Sequence, residues 1–210
     1  MEIYVLRHGT TDWNRTHRLQ GWTDRPLDEE GVRLAREVGE AWKDLTFDRC
    51  YSSPLKRAWD TARYALGERD LPIIPDDRIK EMHFGEWEGM NGMKRGSTNE
   101  EVAQARRFDL QNYRTPPGGE SIEELLGRTT EFLKELLSDP ENEDRRILVS
   151  THGGAGRALM HAVWGGDDFW HGRIPPNCSV CIIYAEQGRI TGWEQDVIFY
   201  QEEVKDYYAQ

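Results

Sequence analysis

Short apolar runs alternate with amphipathic helical stripes along most of this chain, and that alternation limits the folds open to it more than any other property of the sequence. Residues 3–6 form an apolar run of strand length between polar neighbours, as in a strand buried on both faces. From Asp28 onward, Gly31, Ala35, Val38, Trp42 and Leu45 recur at intervals of three and four, which predicts an amphipathic helix over 28–44. Residues 47–51 are the next strand candidate. Ser53 then offers a helix cap with Pro54 at the first helical position, and Leu55, Ala58, Trp59, Ala62 and Leu66 form the stripe of a second helix. Ser121-Ile122-Glu123-Glu124 is a capping box that opens a third, striped by Leu125, Leu126, Thr129, Leu133, Leu136 and Leu137. Residues 146–151 read as a strand, and His152-Gly153-Gly154 leads at once into a helix through about Trp164. Residues 178–185 and 190–194, around Gln187-Gly188, have the pattern of a closing hairpin.

Strand and helix in alternation imply the α/β class: three layers, α/β/α, with a mostly parallel sheet and helices on both faces. Residues 73–118 break the pattern. They collect Gly85, Gly89, Gly92, Gly96 and Pro116-Pro117-Gly118-Gly119, with one weak helical stretch at 98–109. An irregular excursion of this length suits a small cap or lid. The expectation is one domain over 1–210, with the cap at about 80–118.

Lys plus Arg is 27 and Asp plus Glu is 38, so a net charge of −11 opposes bulk attraction to nucleic acid or to an anionic membrane. Any anionic ligand needs a locally basic pocket. The apolar start at residues 3–6 is too short for a signal peptide, and no stretch approaches the ~20 apolar residues of a membrane span, which points to a cytoplasmic protein. Three cysteines, Cys50, Cys178 and Cys181, are too few for a disulfide framework. Cys178 and Cys181 have CxxC spacing, but on a strand positions three apart face opposite sides, so ordinary packing is the expected role.

Three predicted strands end in residues able to do chemistry: Arg7-His8-Gly9, Ser52-Ser53-Pro54-Leu55-Lys56-Arg57, and His152-Gly153-Gly154. Parallel strands bring these ends to one edge, where α/β sheets bind their ligands. Arg57 lies early in its helix, and helical side chains lean toward the N-terminus, so its guanidinium can reach back over that edge. Two arginines and two histidines then converge beside helix starts whose amides favour anions. Such a pocket is suited to phosphate. His17, His83, His161 and His171 have no comparable placement, although His83 lies close to the Glu81 segment and could assist it.

Leu6-Arg7-His8-Gly9-Thr10-Thr11-Asp12-Trp13-Asn14 resembles the signature of the histidine phosphatase superfamily, in its phosphoglycerate-mutase-like branch. The resemblance extends through Gln20-Gly21, Asp24 and Pro26-Leu27, then Ser52 to Ala58 with Thr61-Ala62. It continues at Glu81 ahead of Phe84-Gly85-Glu86-Trp87-Glu88-Gly89, at Gly118-Gly119-Glu120-Ser121 and at His152-Gly153-Gly154. It implies that His8 is a nucleophile forming a phosphohistidine, and that Arg7, Arg57 and His152 bind the phosphoryl oxygens with Asn14 as a further donor. Gln20, Gly21 and Gly153 join the substrate-binding set. Glu81 becomes the general acid; to act near neutrality its pKa must lie above the ordinary ~4.3. No metal and no cofactor are implied, and the sequence has neither a P-loop nor an HExxH pattern.

A phosphohistidine can pass its phosphoryl group to water or return it to a bound sugar acid. The segment 81–85 lacks the Glu-Arg-x-Tyr-Gly pattern of glycolytic mutases, the chain is shorter than theirs, and Gly118 to Ser121 resembles the phosphatase members. A metal-independent phosphomonoester hydrolase acting on a small phosphorylated metabolite is therefore expected. A cofactor-dependent phosphoglycerate mutase is the alternative, for which Lys94, Arg95, Arg106, Arg107 and Arg114 supply basic candidates; a non-catalytic phosphate-binding protein is the second. Trp13, Trp22, Trp87 and Phe84 fall in segments expected around the pocket, either to meet a leaving group or to pack the lid. The aromatic tail from Val197 is expected to dock on the sheet. Oligomeric state is not legible.

Overall fold

In the computed structural model, residues 1–91, 113–166 and 175–201 are described. Their strands are β1 (Glu2–Arg7), β2 (Arg49–Ser52), β3 (Ile73–Pro75), β4 (Arg146–Thr151), β5 (Val180–Glu186) and β6 (Arg189–Val197). The helices are α1 (Asp12–Arg15), α2 (Glu29–Ala41), α3 (Lys56–Leu66), α4 (Ile122–Ser138) and α5 (Gly153–Trp164). One six-stranded sheet runs in the order β3-β2-β4-β1-β5-β6. The first four strands are mutually parallel, and β5 and β6 add an antiparallel pair against β1. That hairpin turns through Gln187 (φ 51°) and Gly188 (φ 70°), the left-handed pair that matches strand twist.

The apolar alternation in β1 divides the core. Tyr4 and Leu6 face a layer built from Leu34, Val38, Trp42 and Ala62 of the α2 and α3 side. Ile3 and Val5 face the other, with Phe132, Leu133, Leu159 and Met160 from α4 and α5. Trp42 is fully buried, its ring meeting Tyr4 edge-on at 5.8 Å. The fold is thus the three-layer α/β/α arrangement expected. A third cluster joins Leu19, Met82 and Phe84 to Ile122, Leu125, Ala155 and Ala158, and so seats the segment around Glu81 on the starts of α4 and α5.

Helix starts follow the caps. Asp28 Oδ1 accepts the Gly31 amide at 2.8 Å, and Ser121 and Glu124 form the expected capping box at 3.1 and 2.8 Å. Two details differ from the sequence expectation. The helix predicted over 28–44 ends at Ala41. At α3, neither Ser53 nor Pro54 opens the helix: Lys56 is its first residue, and its amide is accepted by Asp24 Oδ1 at 2.7 Å from a remote loop. Helix α1 and strand β3 are too short to leave a periodic signal. The stretch 98–109, with Lys94, Arg95, Arg106 and Arg107, lies outside the described residues, as does His171.

All three cysteines are free and buried, and Cys178 and Cys181 belong to opposite core layers. Burial pushes the Cys50 thiol up to about 12 and that of Cys181 to about 11, which suits packing and not thiolate chemistry. The tail docks as expected as far as it is described: Tyr200 is buried, its hydroxyl donates to the Asn177 carbonyl at 2.9 Å, and Phe199 packs on Trp42. Among the described residues no helix is long and apolar enough to cross a membrane.

Candidate active site

Register brings the reactive residues together. Arg7 lies opposite Thr151 and Ser52 opposite Ser150, so the strand ends of β1, β4 and β2 emerge side by side. Beyond them, the His8 amide donates to Thr151 O at 2.9 Å and that of Ser53 to Ser150 O at 3.0 Å. The rings of His8 and His152 are 5.2 Å apart. Arg7, Arg57, His8 and His152 are all buried, Arg57 completely.

His8 is oriented by its own chain. Its Nδ1 lies 2.6 Å from the Gly9 carbonyl, which can only accept, so Nδ1 carries the proton and Nε2 holds the lone pair. The Gly9 turn is fixed in turn: its amide donates to Thr61 Oγ1 at 3.0 Å, and Asn177 Nδ2 donates to the carbonyls of His8 and Gly9 at 2.9 and 3.3 Å. A Cβ at Gly9 would come within 2.6 Å of the Gly31 carbonyl, so only glycine lets β1 run so close under α2. Asn177 carries no signal in a single sequence, because its partners are main-chain atoms 168 and 169 residues away.

His152 is oriented by Ser53, whose Oγ lies 2.8 Å from Nε2 and also accepts the Leu55 amide at 3.3 Å. A hydroxyl that donates to Nε2 leaves the ring proton on Nδ1. That Nδ1 is buried without a partner among the described residues. Burial is the first cause that holds His8 and His152 well below the ordinary 6.5, and the positive charges of Arg57 and Arg7 add to it. Both rings are therefore neutral near pH 7.

Arg57, the second residue of α3, donates to the carbonyls of Gly21 at 2.7 Å and Thr23 at 3.1 Å. Its buried Nε has no partner among the described residues. Burial pushes this guanidinium down to about 10, against the raising influence of Glu81, Asp24 and Glu88, so it stays charged. Arg7 donates to the Pro175 carbonyl. Gly21 adopts φ +51°, and a Cβ there would strike Glu88, whose carboxylate accepts the amides of Trp22 and Thr23 at 2.8 Å each. Glu88 thus shapes the loop whose carbonyls aim Arg57.

Glu81 meets the same edge. Its carboxylate accepts amides of Gly154 at 3.1 Å, Ala155 at 3.0 Å and Met82 at 2.9 Å, the first two from the opening turn of α5 just after His152 and Gly153. Asn14 is buried, with Oδ1 accepting from the Thr11 amide and hydroxyl at 3.0 Å, and Gln20 is buried with Oε1 lacking a partner among the described residues. His83 stacks on Trp22 at 4.6 Å, and His161 contacts the Gly166 carbonyl. Arg114 is exposed. Among the described residues no group of three or more His, Cys, Asp or Glu is arranged to hold a metal ion.

A buried pair of imidazoles and two buried arginines thus meet at the carboxyl edge of an α/β sheet, a setting suited to an anionic group. Residues 3–195 match the model of the histidine phosphatase superfamily (branch 1), and the chain belongs to that family. It is an enzyme of the phosphatase type within it. The chain is 36 % identical over 186 residues to a Bacillus subtilis protein described as the uncharacterized phosphatase PhoE, covering 88 % of this chain and 89 % of that one. It is 35 % identical over 162 residues to 2,3-bisphosphoglycerate-dependent phosphoglycerate mutase 2 of Gloeobacter violaceus, covering 75 % and 73 %. A solved mycobacterial glucosyl-3-phosphoglycerate phosphatase superposes with a TM-score of 0.78 at 29 % identity, over 95 % of this chain and 99 % of that one.

Proposed function

We propose that the chain is a phosphomonoester hydrolase that works through a phosphohistidine on a small phosphorylated metabolite, with no metal or cofactor. The observation that supports this most is the setting of His8: its Nδ1 committed to the Gly9 carbonyl, its ring 5.2 Å from that of His152, and its charged form disfavoured by burial and by Arg57 and Arg7. In the first step the Nε2–P bond forms and the P–O ester bond breaks; the leaving oxygen keeps the electron pair and takes a proton from Glu81. In the second, water attacks phosphorus, Glu81 takes its proton, and the N–P electrons return to Nε2. Arg7, Arg57 and His152 Nδ1–H bind the phosphoryl oxygens, Asn14 and the Gly153 turn supplement them, and Gln20 and Gly21 line the approach. A phosphoryl oxygen gives acceptors to Arg57 Nε and His152 Nδ1, which have none among the described residues. Charge-assisted hydrogen bonds of this kind are worth about 1.5–3 kcal/mol each.

Residues 1–210 act as one catalytic domain in this reading, with the cap assigned to about 80–118, of which 92–112 lie outside the described residues. Three free, buried cysteines suit a reducing, cytoplasmic setting. The mutase reading has the Gloeobacter relative in its favour. Phosphate release from a panel of phosphoesters, with and without EDTA, tests the proposal. Metal-independent turnover of a phosphomonoester is expected; release abolished by EDTA contradicts it. Interconversion of 2- and 3-phosphoglycerate that depends on 2,3-bisphosphoglycerate, with no release to water, establishes the mutase instead.

A further inference from the structure

Glu81 is gripped at an atom that takes no part in its chemistry. Its main-chain carbonyl accepts the indole Nε1–H of Trp22 at 2.7 Å and Nη2 of Arg128 at 2.9 Å. Both lone pairs of that oxygen are thus engaged by side chains 59 and 47 residues distant in sequence. Residue 81 lies in irregular backbone between two single 3-10 turns, Asp77–Ile79 and Gly85–Trp87, so neither a helix nor a strand fixes it.

The two donors are themselves fixed. Arg128, on α4, also donates Nη1 to the carbonyls of Arg78 and Lys80 at 2.7 Å each, so one guanidinium ties three carbonyls of the segment. Glu120 holds that guanidinium through Nε at 2.6 Å and Nη2 at 2.8 Å, and accepts the His83 amide at 3.2 Å. Trp22 is anchored through its amide to Glu88, with its ring against His83 and 4.7 Å from Lys80 Nζ.

We infer that Trp22 and Arg128 are positioning residues for proton transfer, fixing through the Glu81 carbonyl where its carboxyl meets the leaving oxygen. This rests on the proposed role of Glu81 as general acid. The carboxylate now sits on the amides of Met82, Gly154 and Ala155. To serve a leaving oxygen it must turn away from them, and rotation about side-chain bonds lands it within hydrogen-bond reach only if the main chain stays put. A displacement of about 1 Å is enough to take a general acid out of range.

The test uses leaving groups. An alkoxide needs a proton as the P–O bond breaks, whereas p-nitrophenolate leaves without one. The quantity is kcat/KM, which reports steps through the first phosphoryl transfer, measured on the full chain with a primary alkyl phosphate and with p-nitrophenyl phosphate. Glu81→Gln sets the reference: about 10²-fold or more lost on the alkyl ester and far less on the nitrophenyl ester. Trp22→Phe, at a residue 40 % exposed, removes one donor and keeps the ring; Arg128→Lys keeps the charge and loses the fork. Each is expected to reproduce the selective loss in weaker form, about 5- to 10-fold for Trp22→Phe and more for Arg128→Lys. Equal losses on both esters in these variants, or none, overturn the inference while leaving Glu81→Gln selective. If Glu81→Gln is itself unselective, the acid role falls and the inference with it. Should Arg128→Lys fail to fold, Trp22→Phe alone decides.

Discussion

Two neutral histidines in a buried, positively charged pocket have consequences at the level of single residues. His8 and His152 titrate near 6.5 when unfolded but well below it in the fold, because burial and then Arg57 disfavour the charged rings. Below about pH 6.5 the unfolded chain therefore binds protons that the fold refuses. Stability falls as the pH drops from there toward the depressed folded values, and this contribution is level above it. Each ring adds a slope of about 1.4 kcal/mol per pH unit. Urea unfolding between about pH 7 and about pH 5 is expected to show this loss, and His8→Gln to remove His8's share of the slope. Identical pH dependence in the two proteins contradicts the neutral assignment of His8. At Arg57, whose guanidinium is held by carbonyls alone among the described residues, Arg57→Ala is expected to lower kcat/KM by about 10²–10³-fold.

Elements matter here through where they begin. The amide end of α5 follows directly on β4, α3 starts beside Asp24, and the α2 start lies against the turn after β1. The last contact is the tightest: a Cβ at Gly31 would lie 2.3 Å from the Thr10 carbonyl and 2.7 Å from the Thr10 amide nitrogen. Gly31→Ala is expected to cost about 1–3 kcal/mol of stability by chemical denaturation and to lower activity, since α2 cannot retreat without disturbing the His8 turn. A neutral result places the strain elsewhere. Trp42→Ala, in the same layer, is expected to cost about 3–5 kcal/mol with little effect on the chemistry per folded molecule. Strands β1, β2 and β4, the four long helices and the hairpin were legible because each has a period, an apolar run or a cap of its own. Strand β3 and helix α1 were not, being shorter than any period that could announce them.

On the scale of the whole molecule, a net charge of −11 coexists with a small basic focus at the strand ends. The convergence of Arg7, His8, Arg57 and His152 followed from three strand ends and a parallel sheet, and so could be read from sequence. Their orientation could not. Ser53 was expected to cap a helix and instead faces His152; Asn177 and Tyr200 support the His8 turn through main-chain contacts over long sequence separations; Arg128 donates to backbone carbonyls and Glu120 accepts a backbone amide, groups that any residue would present. What sequence conceals in this site is mostly the set of side chains whose partners are main-chain atoms, with Ser53 on His152 as the side-chain exception. The proposed chemistry depends on His8 Nε2 accepting the phosphoryl group. Rapid quenching of turnover at alkaline pH, followed by peptide mass analysis, tests this directly: a phosphoryl adduct on the His8 peptide, lost in acid and absent from His8→Ala together with turnover, is predicted. Full turnover by His8→Ala, or an adduct mapped to another residue, contradicts it.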